Sequence, residues 1–326
     1  MSGALAAARA GRAPRGALAR RVALRLATMV AVMVGAATVA FLALELVADD
    51  PVRTVIGLRP ATPELLAQVR SDLGLDRSLP ERWLLWVGGI AHGDLGTSYQ
   101  LQRPVLEIVG EQLLPTVELA LTAFLLGAAG GTLLALATAG RRPRARAASG
   151  AAELLALSTP PFWLGIVLLT VFSFQLGWFP VIGAGESGLR ALVLPAVTLA
   201  VPIAAMLAQV LRDGLEQALA QPFATTARAR GISELRLRTH HALRHALLAV
   251  MTLSGWIVGS LLGGAVVVET VFGRQGIGRV AATAISSADV PTVMGVVLLS
   301  SFFFVVVNAL VDLLYPLVDP RLRGRA

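Results

Sequence analysis

The 326-residue chain is 56% hydrophobic, only 15% charged and carries a mean hydropathy of +0.72, whereas soluble domains carry about 25% charged residues. Its formal net charge of +8 comes from Arg alone, gathered in short stretches between apolar runs, which points to a membrane and not to nucleic acid. Without Lys no standard phosphate-binding P-loop can form, and without Cys there are no disulfides, thiolate metal sites or cysteine nucleophiles.

Residues 1–21 are rich in Ala and Arg and are expected to be flexible. A bilayer core of about 30 Å needs roughly 20 apolar helical residues. Six runs approach that length: Leu26–Leu44, Leu119–Gly140, Leu154–Phe179, Ala191–Leu211, Ala246–Val268 and Pro291–Val311. The first follows an Arg-rich start but exceeds a signal-peptide core, and it reads as a retained helix. Together they predict an all-α membrane protein of about six spans occupying residues 22–326.

Cytoplasmic loops carry the excess of positive charge. Arg9 to Arg25, Arg141 to Arg146, Arg228 to Arg244 and Arg321 to Arg325 all fall on one side if there are six spans, which puts both termini in the cytoplasm. Residues 48–114 are instead rich in Asp and Glu and read as an external segment. Short helices are expected there, one starting at Pro63-Glu64 behind a Thr62 cap. Pro160, Pro161, Pro195 and Pro202 lie inside apolar runs, where a packing kink is the plain reading.

Several motifs lead nowhere. Gly183 to Gly188 fits G-x-G-x-x-G, yet it lacks the flanking strand and helix of a dinucleotide site. The same stretch contains a Gly-x-Ser-Gly suggestive of an intramembrane protease, but Ser187 needs a His base, and His92 alone lies on its side. His240, His241 and His245 sit among arginines that repel a cation, and they read as a polar helix face. Glu45, Glu118, Glu153, Glu269 and Asp312 fall near span ends, where water is expected to reach them. That argues against a proton-coupled secondary transporter, the chief rival outside the resemblance below.

The polar connection 212–245 is the most distinctive stretch, with its core at Phe223-Ala-Thr-Thr-Ala-Arg-Ala-Arg-Gly231. Small residues and arginines suit a compact helix docked closely on another protein, and Gly231 supplies a C-cap and turn. In the fifth run, Gly259, Gly263 and Gly264 permit close helix approach or leave room for a passing solute.

This connection resembles the EAA loop of permease subunits in ATP-binding-cassette importers, in the dipeptide/oligopeptide/nickel branch. The carrying residues are Thr226–Gly231 and His241–Leu247, supported in order by Gly93–Ser98, Ser158–Gly165, Leu194-Pro195-Ala196, Gly263–Phe272 and Asp312–Arg321. Thr225 stands where other EAA loops have Glu, while Pro222 and Ala249 replace the branch's usual Asp and Pro.

The resemblance implies a type I importer permease fold that is not itself catalytic and binds no cofactor or metal. It implies one half of a pore in the inner membrane, paired with a homologous permease subunit. Two cytoplasmic ATPases holding ATP and Mg, and an external solute-binding protein, complete the assembly. The 222–235 helix would couple to the ATPase through Phe223, Thr225, Thr226, Ala227, Arg228, Arg230, Gly231 and Glu234, with His241 and Arg244 beyond it. Gly259, Gly263, Gly264, Glu269, Pro160 and Pro161 are the pore or gate candidates. Di- or oligopeptides lead as solute, ahead of nickel or metal chelates, glutathione, opines and haem.

Overall fold

A computed structural model describes residues 15–47, 51–57, 60, 62–140, 143–181 and 188–318. The arginines at 9, 12, 141, 142, 321, 323 and 325 and the Gly183 to Ser187 motif lie outside the described residues. Described elements, in chain order, are α1 Arg15–Val47, α2 Pro51–Ile56, α3 Pro63–Asp72, α4 Leu79–Ala91, α5 Val105–Thr138, α6 Pro143–Ser158 and α7 Pro161–Leu168, which continues as a π-helical stretch Leu169–Gln175. Then come α8 Leu189–Leu219, α9 Pro222–Ala229, α10 Glu234–Arg236, a second π-helical stretch Leu237–Ala242, α11 Leu243–Met251, α12 Ser254–Val271, α13 Ile277–Ser286 and α14 Val290–Val318.

Among the described residues four helices are long and apolar enough to cross a membrane, α1, α5, α8 and α14, and the bent pair α6–α7 makes a fifth if it is one span, where about six spans were expected. The third apolar run is not one helix. Thr159 returns its hydroxyl to Leu155 O, and Pro160, extended at ψ 135°, brings no N–H to the ladder. Pro161 then starts α7 afresh, so α6 and α7 meet at 100°. The two prolines therefore break the run, where a kink was expected. The fifth run is also divided, at Thr252-Leu253, into α11 and α12. By contrast Pro115, Pro195 and Pro202 stay within unbroken helices.

The core runs along α8, the most buried of the spans. Leu199, Ile203, Leu207, Leu211 and Leu215 pack there with Leu119 and Ala123 of α5. Their approach is too close for side chains at two crossing points. A Cβ on Gly131 would lie 2.7 Å from Ala204 O, and one on Gly127 2.8 Å from Ile203 Cγ2. Outside this core α1 packs with α14. Apolar residues such as Leu24, Val39 and Leu46 stay exposed on α1, as a helix bathed in lipid would leave them.

The acidic segment 48–114, expected to be external, is largely helical among its described residues. Thr62 caps α3 through Leu65 N at 3.3 Å, as its sequence predicts, and Ser78 with Glu81 forms a capping box on α4. Trp83 and Trp86 of α4 pack on Phe41 of α1 and on Val290 and Met294 of α14, which seats the segment on the ends of two spans.

Candidate functional site

At one end of the bundle, the 212–245 connection folds into a small unit with its own core of Ala224, Ala227 and Leu237, covered by Phe223 and Ile232. The helix α9 stops at Ala229 and does not reach 235. Ile232 N binds Ala227 O at 3.1 Å and Gly231 N binds Arg228 O at 2.9 Å, the two bonds of a Schellman close. Gly231 takes φ +76°, and nothing lies within 4 Å of where its Cβ would be. It is therefore required for its backbone and not for space. Glu234, expected in the same helix, starts α10 after this turn.

With Ala224 and Ala227 turned inward, Thr225, Thr226, Arg228 and Arg230 are left exposed. Arg228 Nε binds Glu234 Oε1 at 2.6 Å across the turn, and this hydrogen bond holds the Glu234 carboxyl below the usual carboxylate range. Phe223 stacks on His245 with centroids 5.4 Å apart, while His241 and Arg244 are exposed. Among the described residues no group of three or more metal-ligating side chains forms. Leu235, 70% exposed, adds an apolar contact point that charge patterning alone did not single out.

Behind this unit stands a buried ion pair. Arg212 of α8 grips Glu153 of α6 with both nitrogens, at 2.7 and 2.5 Å, and Ser149 donates to the same carboxylate at 2.6 Å. The side chains are 7% and 1% exposed, so Glu153 is not the solvent-reached span-end residue expected from its position. Arg238 is buried nearby and donates to Leu136 O at 3.3 Å, which ties the connection to the end of α5.

At the other end, Glu269 is fully buried, again against expectation. Its Oε1 accepts from Thr116 of α5 at 2.6 Å, and its Oε2 from the backbone N of Arg279 at 3.1 Å. Thr116 in turn accepts from Ile277 N at 2.9 Å. The carboxylate thus sits on the first turn of α13, where free N–H groups favour negative charge. It leaves no room, since a Cβ on Gly276 would overlap the carboxylate and one on Gly278 would lie 2.5 Å from Val266 Cα. Arg274 closes the same corner by binding Glu118 at 2.7 Å.

The three candidate glycines among the four of α12 divide. A Cβ on Gly264 would lie 2.6 Å from Leu199 Cδ2, so that position packs α12 on α8. Gly259 and Gly263 face open space on an exposed side with Val267 and Thr270. Pro160 and Pro161 sit at the α6–α7 break, away from these glycines in sequence. For Asp312 the side chain lies outside the described residues.

What sequence reasoning passed over is a third buried carboxylate, Asp289, which is 2% exposed. Its Oδ2 accepts from the Ser98 hydroxyl and from Thr292 at 2.9 Å, and its Oδ1 from Tyr99 N at 2.9 Å. The Gly93–Ser98 motif gives the only hint of it. Gly93 and Gly96 take φ +80° and +88° to turn the chain so that Ser98 points inward.

The described residues thus form a helical bundle with apolar spans, a small polar unit at one end and a clamped short helix at the other. The chain belongs to the family of binding-protein-dependent transport system inner membrane components, whose model matches residues 127–324, while the model of that component's N-terminal region matches 18–120. Among its relatives, a protein named as a peptide transport system permease in Brucella abortus (strain 2308) is 37% identical over 306 residues, 92% of this chain and 97% of the relative. A protein named as a peptide ABC transporter permease in Sinorhizobium fredii is 35% identical over 309 residues, 92% and 97% of the two chains. The glutathione transport system permease protein GsiC of Salmonella paratyphi A is 34% identical over 300 residues, with the same coverage. The chain is thus a membrane permease component of an ABC importer and not a catalytic subunit.

Proposed function

We propose that this chain forms half of the translocation path of an ATP-driven importer for di- or oligopeptides, with the 212–245 unit as the surface that engages a cytoplasmic ATPase. The observation that carries this reading is the geometry of α9: a short helix with two buried alanines, an exposed face of Thr225, Thr226, Arg228 and Arg230, and a Schellman close at Gly231. Such a compact knob, backed by the buried Glu153–Arg212 pair, transmits displacement without bending internally. A homologous permease subunit completes the path, two ATPases supply ATP and Mg, and an external solute-binding protein delivers solute. The peptide class is taken from the names of the relatives. Gly259 and Gly263, open on α12, line the path or the subunit seam, while Gly264 belongs to packing. Both termini face the cytoplasm of a cell whose inner membrane holds the protein, by the arginine distribution.

The test is Gly231→Val in the complete complex in lipid. A β-branched residue at φ +76° costs about 1–2 kcal/mol of backbone strain. Because the site is open and outside every span, membrane abundance and pairing with the second permease stay near normal. Substrate-stimulated ATP hydrolysis, copurification of the ATPase and peptide uptake fall. Normal attachment with full stimulation would remove the coupling role from this unit.

A further inference from the structure

Three connections at the outer end of the bundle make a closed frame. The loop 97–104 runs directly into α5 at Val105, and Thr97 pairs with Pro104 to close the loop on itself. The helix α5 holds the start of α13 through Thr116, Glu269 and Ile277 N. Three residues past the end of α13, Asp289 returns to the loop through Ser98 and Tyr99 N. Ser287 adds a hydroxyl bond to Gln100 at 3.0 Å on the same side.

The inside of this frame is full. Val105 and Val109 of α5 pack on Ile277 and Ala281 of α13 and on Val296 of α14, and Leu95 from the loop's approach covers them. A Cβ on Gly295 would overlap Val105 Cγ1, so α14 has no slack against α5 either. A closed ring of hydrogen bonds around a close-packed cluster leaves no soft joint within it. The helix α13 exposes Thr283, Ile285 and Ser286, an uncharged face.

Asp289 is the member that no packing argument requires. A buried carboxylate is costly unless every acceptor site is used, and here three donors use it, two of them from the loop 191 and 190 residues away in the chain. An apolar residue would have filled the same corner. What the carboxylate adds is a directional tie between the external segment and the end of α13.

We infer that Ser98 and Asp289 are positioning residues that make the external segment and α13 move as one body, so that a solute-binding protein engaging the external segment shifts the outer mouth directly. The identity of that loading partner rests on the importer reading; the frame itself does not.

This chain has no Cys, so in a complex whose other subunits have had theirs replaced, spin labels at Leu101→Cys on the loop and Ile285→Cys on α13 report on this frame. Distances are measured in the complex purified through a tag on this chain and placed in lipid nanodiscs. The parent gives one narrow distribution, and both Ser98→Ala and Asp289→Asn broaden it. In the same preparations, addition of the binding protein that copurifies with the complex stimulates ATP hydrolysis several-fold less in the variants, with unchanged basal hydrolysis. The binding-protein concentration for half-maximal effect stays put. That split separates lost transmission from lost docking. Unchanged distributions in both variants overturn the frame. Broadened distributions with full stimulation overturn its role as a transmitter. If Asp289→Asn lowers membrane abundance, Ser98→Ala decides, since it removes one donor and leaves Tyr99 N and Thr292 in place. A parent complex that the binding protein never stimulates sinks the importer reading, and the distance arm still judges the frame.

Discussion

The two ends of the bundle each turn the chain at a glycine, and the two glycines are needed for opposite reasons. Gly231 occupies open space but takes φ +76°, whereas Gly276 has extended backbone at φ 162° that any residue adopts and no space at all. The difference extends to the carboxylates. Glu234 braces the Gly231 turn from the surface, at 51% exposure, while Glu269 holds the Gly276 turn from full burial. The exposed turn is fixed by local backbone geometry and stays accessible. The buried turn is fixed by long-range contacts that exclude water.

The largest expected effect tests that contrast directly. Gly276→Ala forces a methyl group into the Glu269 carboxylate and displaces the start of α13, an overpacking cost on the order of 3 kcal/mol. Membrane abundance and the thermal stability of the solubilised protein fall together, whereas Gly231→Ala changes both little, by about 1 kcal/mol of αL strain. Combining Gly276→Ala with Glu269→Ala is expected to cost less than the sum, because the smaller residue frees the space. Equal penalties at the two glycines would dissolve the distinction.

A comparable effect is expected where the inner end borrows the outer end's strategy. Glu153→Ala strands Arg212 in a buried site, a loss of about 3 kcal/mol, while the pair Glu153→Met with Arg212→Met comes close to the parent. Thermal unfolding of the solubilised protein followed by tryptophan fluorescence reads both. A single variant as stable as the parent would show that the ion pair carries no structural weight.

The smallest effect belongs to the exposed pair. The Glu234 carboxyl titrates below its unfolded value because Arg228 donates to it. Its contribution is therefore fully present above the unfolded pKa of about 4.3 and is lost as pH falls through the lower folded value. Hydrogen exchange of the 226–236 amides is expected to keep its protection pattern from neutral pH down to about that point, and to loosen only below it. Arg228→Glu should abolish that low-pH step while leaving abundance unchanged. A step near neutral pH would contradict the assignment.

How much of this was legible depended on the range of the forces involved. Apolar runs, the Thr62 cap and the positive-φ turn at Gly231 are local, and the sequence alone predicts them. The burial of Glu153 and Glu269 depends on Arg212 and Thr116, 59 and 153 residues away, and no local pattern announces either partner. Position near the end of an apolar run suggested hydration, but the neighbouring elements that cover these residues come from elsewhere in the chain. The first turns of α5 were hidden by Glu107, Gln112 and Glu111, which gave that stretch the look of an external loop although it is continuous with a span. The Pro160-Pro161 pair was visible yet underread: two prolines after Ser-Thr are enough to end one helix and begin another.

The 34 residues of α5 make it about 51 Å long, well beyond a hydrocarbon core of about 30 Å. From Pro161 to Gln175 the helix spans at most roughly 22 Å. One protein thus presents the same bilayer with an overlong helix and a short one, both packed on α8. Beside α7 the lipid must thin or the face must be covered by protein, and either response has an elastic cost that varies with acyl-chain length. Membrane thickness therefore enters the energetics of this permease as a mechanical variable, set by where two prolines end a helix.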